Sequence, residues 1–243
     1  MDYGDILDFS IKLYLRHFWV LLAAFALPYV PVHLLQIGVQ EPLSAFPGAD
    51  PSSARVFGSL ASTFLSLIAS AIAYPFALAA TTQGISEAYL GLRPTLRSCY
   101  RGVLRRFWPL LAAVAVATVL MVLGFCVFLI PGIYVLIVYL FVAQAVVLEK
   151  RSPWDALKRS GSLVSGYFWK CLVLVIIVTI MVTVLMWMIL LPLTFIFGGA
   201  GAFAPTQTTS FLSQLPVMII TSLLSIVLGP FEIITRTLLY YDL

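Results

Sequence analysis

The chain has 243 residues, of which 62% are hydrophobic and only 10% charged, with a formal net charge of +4. Soluble globular chains are about 45–50% apolar and about 25% charged. So few polar side chains cannot cover a water-facing surface, which excludes a soluble domain and leaves lipid as the solvent.

Residues 3–16 form the first predicted element, an amphipathic helix. Asp5, Asp8, Lys12 and Arg16 recur at three- and four-residue spacing, with Asp8 placed to pair with Lys12. Asp2, Asp5 and Asp8 replace the basic start of a cleavable signal, so the first membrane helix is expected to stay in the mature protein. Arg16-His17-Phe18-Trp19 marks the membrane interface, where amphipathic rings prefer to sit. Residues 20–37 are long enough to cross, with Pro28 and Pro31 expected to bend the span. Pro42, Pro47, Gly48, Asp50 and Pro51 make 40–53 an exposed loop. The apolar run over 56–90 exceeds one straight span and is expected to bend near Pro75.

A second amphipathic helix is predicted over 93–106, with Arg93, Arg97, Arg101 and Arg105 on one stripe and Leu96, Tyr100, Val103 and Phe107 facing away. Phe107-Trp108 opens the third span, up to about residue 128. Ile130-Pro131-Gly132 reads as a tight reversal before an unbroken fourth span over 133–148. Ser152, Pro153 and Asp155 carry the signals of a helix start for the third amphipathic helix, which ends at Phe168-Trp169. Its expected apolar face is Trp154, Leu157, Gly161, Val164 and Phe168. The fifth span covers 167–197, a small Gly-rich uncharged loop covers 198–209, and the sixth span runs over 211–241 past Pro216 and Pro230.

The chain therefore predicts an all-α fold. It is a polytopic membrane protein of six transmembrane helices, arranged as three hairpins, each preceded by a cytoplasmic-side interfacial amphipathic helix. It is one integral membrane domain, 1–243, made of pseudo-repeats 1–91, 92–151 and 152–243. Arginine followed by aromatic residues is also how any helix enters a bilayer, so the repeat reading rests on the threefold recurrence. The loops after spans one, three and five hold a single base, Arg55, while the opposite side holds nearly all the others. The positive-inside rule then puts both termini of this multi-pass chain, and all three interfacial helices, on the cytoplasmic side.

Phe128-Leu-Ile-Pro-Gly-Ile-Tyr-Val, Ala145-Val-Val-Leu-Glu149 and Asp155-Ala-Leu-Lys-Arg-Ser160 resemble the membrane domain of some bacterial glycerophosphoryl diester phosphodiesterases. They also look like the related uncharacterised six-span inner-membrane proteins that occur without a catalytic domain. The opening Tyr3-Gly-Asp-Ile-Leu-Asp and the closing Leu239-Tyr-Tyr-Asp242 extend the resemblance over almost the whole chain. In fused members the chemistry belongs to a separate soluble barrel, so the resemblance implies a multi-pass architecture in the bacterial inner membrane and no activity of its own.

The search for chemistry among the residues agrees. Cys99, Cys126 and Cys171 lack CxxC spacing and suggest neither disulfides nor a metal knuckle. His17 reads as an interfacial anchor and His33 as a histidine bonded to a neighbouring helix. Ser160-Gly161-Ser162 lacks the flanks of a nucleophile elbow, and no phosphate- or dinucleotide-binding fingerprint is present. The protein is expected to be no enzyme, with no catalytic residue, metal or cofactor. The basic stripe Arg93, Arg97, Arg101, Arg105 and Arg106 is the expected lipid-headgroup site, each exposed base being worth about 1 kcal/mol at an anionic surface. Trp19, Trp108, Trp154 and Trp169 are the expected interface anchors. Gln83, Gln144, Glu232 and Arg236 are the expected buried polar cluster, because ionisable groups inside a span are costly. Glu87 and Glu149 are expected simply to end their helices among headgroups. The expected partners are membrane lipids with anionic headgroups at the cytoplasmic face, then other membrane-protein subunits. Nucleic acid is not expected, since the basic stripe lies against the bilayer. The function that follows is a lipid-interacting scaffold or an accessory subunit of a membrane complex; the alternative is a small-molecule or lipid transporter or channel.

Overall fold

The computed structural model describes residues 3–39, 51–198 and 211–243. Among them the chain forms nine α-helices and no strand: α1 (Tyr3–Arg16), α2 (Phe18–Val39), α3 (Pro51–Tyr89), α4 (Leu96–Arg105), α5 (Phe107–Val127), α6 (Leu129–Val138), α7 (Val142–Val147), α8 (Pro153–Gly198) and α9 (Phe211–Asp242). Six stretches among the described residues are long and apolar enough to cross a membrane, which makes this a multi-pass membrane fold. The predicted loops over 40–53 and 198–209 lie almost wholly outside the described residues. Where the first is described, α3 already begins at Pro51, since proline suits a first helical position.

The spans pair as α2 on α3, α5 on α6 and α8 on α9. The amphipathic helices close the arrangement. α1 packs on α9, α4 on α3, and α7 on α8, so each interfacial segment leans on the closing helix of another hairpin. In α8 the interfacial and spanning parts are separated by Tyr167, whose backbone (φ −134°, ψ 29°) leaves the helical region. The buried face of its first part is Ala156, Leu157, Ser160 and Val164, and Trp154 points outward. Phe18-Trp19, Phe107-Trp108 and Phe168-Trp169 adopt one geometry, with ring centroids 5.4, 5.6 and 5.9 Å apart and edge-to-face. The three membrane entries thus share one ring-pair geometry.

Proline and helix breaks set a problem that these interfacial helices solve. A backbone group freed at membrane depth has no water to bond and needs a protein partner. Pro28 cannot donate to the carbonyl of Ala24, and the Tyr100 hydroxyl of α4 donates to that oxygen at 2.6 Å. Pro230 lies inside α9, and Tyr14 of α1 donates at 2.6 Å to the carbonyl of Val227, next to the Ile226 carbonyl to which Pro230 cannot donate. The third case was not predicted: the fourth span is not continuous but breaks over 139–141, between α6 and α7. The buried Ser160 hydroxyl of α8 donates to Val138 O at 2.7 Å and accepts from Phe141 N–H at 3.2 Å, filling both sides of that break. So α1, α4 and α8 each send one hydroxyl into a loosened span.

The reversal between the third and fourth spans also differs from the expectation. The turn is made by a single extended residue, Phe128 (φ −163°, ψ 161°), and Pro131 and Gly132 lie inside the first turn of α6. A Cβ on Gly132 would sit 2.4 Å from the Phe125 ring, so a residue without one is needed for α5 and α6 to approach.

Candidate functional site

Pro94 and Thr95 fix where α4 starts. Thr95 caps the helix: Ser98 N–H donates to Thr95 Oγ1 at 3.3 Å, and Thr95 N–H donates to Ser98 Oγ at 3.2 Å. The helix is therefore shorter than the predicted 93–106. Arg93 precedes it and Arg106 caps its end, so three of the five arginines, Arg97, Arg101 and Arg105, stand on the helix itself. The packed face is Cys99 and Val103. Leu96, expected to face away from the arginines, is exposed beside them. A Cβ on Gly84 would lie 2.9 Å from Cys99 Sγ, so α3 and α4 touch through a glycine. Burial pushes the Cys99 thiol up to about 11, with the charge of Glu87 adding to it, which leaves it an inert core group. Burial likewise pushes the Tyr100 phenol up to about 12, so it stays a neutral donor to Ala24.

Between α2 and α4 lies an open groove of about 330 Å³, with Leu27, Leu96, Tyr100 and Leu104 as its floor and Arg97 and Arg101 at its edge. Leu27, Leu96 and Leu104 are exposed, and among the described residues none of the five arginines joins an ion pair. An apolar trough below two unpaired guanidiniums matches a chain-bearing anion: the chain lies on leucine and the charge meets arginine. Trp19, Trp108, Trp154 and Trp169 are all exposed, as anchors in a headgroup layer would be.

The same end of the bundle holds a bonded acid that the sequence reading left among headgroups. Glu149 accepts from Arg151 Nε at 2.5 Å, from Arg159 Nε at 2.9 Å and from the Tyr240 hydroxyl. Burial alone would raise its pKa; the bonds from Tyr240, Arg151 and Arg159, with the charge of Arg159, outweigh it and hold the carboxyl down at about 2. Its neighbours in the closing motif bond elsewhere. Tyr241 shares a hydrogen bond of 2.7 Å with Ser86 and stacks on Tyr89, and Asp242 accepts from Lys170 at 2.6 Å. Tyr240, Tyr241 and Asp242 thus bind, in turn, the second, first and third hairpins. The sequence signal was the closing Tyr-Tyr-Asp itself, read as a resemblance and not as three separate bonds.

The expected polar cluster separates into parts. Arg236 donates to Glu232, one helical turn away. Gln83 donates to Glu87 at 3.3 Å, and Glu87 also accepts from Ser98 at 2.6 Å. Gln144 is fully buried, and neither of its amide atoms has a hydrogen-bond partner among the described residues. His33 Nδ1 is 3.2 Å from Ser222 Oγ of α9, a bond to a neighbouring helix.

A family model described as "Domain of unknown function (DUF7847)" matches residues 18–243. No curated protein and no solved structure matches the chain.

Proposed function

The chain belongs to that family of unknown function, and we propose that it is a non-enzymatic inner-membrane protein that binds anionic lipid and serves as a scaffold or accessory subunit of a membrane complex. The groove between α2 and α4 carries the reading, because Arg97 and Arg101 stand unpaired over exposed leucines. In this orientation α1, α4 and the first part of α8 face the cytoplasm, where anionic lipid headgroups attract basic helices. The likeness of the chain's motifs to the glycerophosphoryl diester phosphodiesterase membrane domain belongs to the same proposal.

Replacing Arg97, Arg101 and Arg105 by glutamine lowers the amount of anionic phospholipid retained by the purified protein, read by native mass spectrometry against phosphatidylcholine. At about 1 kcal/mol per base the three changes together cost about 3 kcal/mol, a loss of about a hundredfold. Unchanged retention reduces the stripe to a topology signal. Orientation is read separately by thiol labelling of Asp50→Cys and Arg93→Cys. Arg93 is the better inner reporter because Cys99 is buried against α3. Labels reaching both positions from one side overturn the three-hairpin topology.

A further inference from the structure

A second cavity, of about 280 Å³, lies deeper in the bundle, away from the α4 groove. Tyr74 of α3, Thr118 and Met121 of α5, Tyr139 at the helix break and Arg236 of α9 line it. The break over 139–141 shapes one wall, and Thr118 is exposed, so the cavity opens sideways where α5 meets lipid. Arg236 lies six residues before Asp242, so its Cα is about 9 Å below the end of α9. Arg236 thus lies within the stretch of α9 that is long and apolar enough to cross a membrane.

One feature of the lining asks for an oxygen-bearing occupant. A guanidinium has five N–H donors; Arg236 directs one to Glu232 and is hydrogen-bonded to the Tyr74 hydroxyl of the same lining, which leaves donors over, and 23% of its side chain is exposed. Buried polar groups without partners are rare and costly, above all where water is absent. The charge at the site is already balanced, because Glu232 pairs with Arg236. An anion entering at this depth would bring an uncompensated negative charge into hydrocarbon, which is expensive. A neutral acceptor meets the spare donors without that cost.

We propose that this cavity is a binding site for a neutral, chain-bearing amphiphile that presents a carbonyl oxygen to Arg236 and enters from the bilayer past Thr118. The site is independent of the α4 groove and takes a different ligand class.

The probes are a diazirine-bearing diacylglycerol and a diazirine-bearing fatty acid in its ionised form, each added to the full protein in phosphatidylcholine nanodiscs. After photolysis the labelled peptides are mapped. The diacylglycerol is expected to label α5 and the segment around Tyr139, and unlabelled diacylglycerol to compete with it. Thr118→Phe, which fills the mouth from an exposed position, lowers that labelling about tenfold. Val119→Phe, also exposed but outside the lining, leaves it unchanged. Arg97→Gln with Arg101→Gln leaves it unchanged too, so failure of the headgroup site and failure of this one are distinguishable. Equal labelling in Thr118→Phe and wild type overturns the site, and stronger labelling by the fatty acid overturns the neutral ligand.

Discussion

Glu149 and Glu232 both accept hydrogen bonds from arginine, but their surroundings differ in kind. Glu149, at the interfacial end of the bundle, has three donors, from α8, α9 and the loop before α8, and 24% of its side chain is exposed. Glu232 is deeper and, among the described residues, has a single donor on its own helix, with 31% of its side chain exposed beside a small cavity. The first arrangement is redundant and joins pieces of chain that are far apart. The second is minimal and leaves donors of Arg236 over. An over-supplied acid is a fastener; an acid that only balances its neighbour's charge leaves that neighbour able to bind something else.

That difference makes Arg236→Leu the most damaging change. It strands Glu232 at membrane depth, and breaking a buried pair from one side costs about 3 kcal/mol or more. The double change Glu232→Gln with Arg236→Leu removes both charges and is expected to melt closer to wild type in detergent. Equal melting of the two variants shows that the pair is solvated, and the contrast with Glu149 then disappears.

Glu149→Gln is the next largest, at about 2 kcal/mol, since its arginine partners are partly exposed and regain water. Its pH dependence has a definite sign. The folded carboxyl is held at about 2, against about 4.3 for an unfolded glutamate, so its contribution is complete above that value. The contribution is lost as pH falls through the window between them. Wild type therefore loses its advantage over Glu149→Gln on acidification, as read from melting temperatures of both proteins. A constant difference across the window shows that the carboxylate is not ionically held.

Most of the fold was legible because lipid imposes strong rules on sequence. Membrane-length apolar runs and Phe-Trp entries placed the spans and the interfacial helices to within a few residues. The break at 139–141 was not legible. Its residues, Tyr139-Leu140-Phe141, are as apolar as a continuous span, and the compensating hydroxyl is Ser160, some twenty positions later. The pairing of Glu232 with Arg236 was legible because i, i+4 spacing is local. The Glu149 cluster was not, because Tyr240 reaches it across 91 positions of sequence. The α4 groove was half legible: the arginine spacing was visible, but its floor needs Leu27 of another helix.

Tyr240→Phe tests the redundancy directly and should have the smallest effect. The change keeps the ring, which packs at 5.7 Å from Phe141 in the core, and removes only the hydroxyl that donates to Glu149. Glu149 keeps both arginines, so the acid is not stranded, and the lost bond is worth about 1 kcal/mol. The same deletion at Glu232, taking its single donor, is the Arg236→Leu change with its threefold larger expected cost. The two acids are thus compared by one operation, the removal of one donor. A melting shift for Tyr240→Phe as large as that for Arg236→Leu means that Arg151 and Arg159 do not hold Glu149 on their own. In that case Tyr240 is the bond that ties the second hairpin to α9, and the redundancy assigned to this end of the bundle is lost.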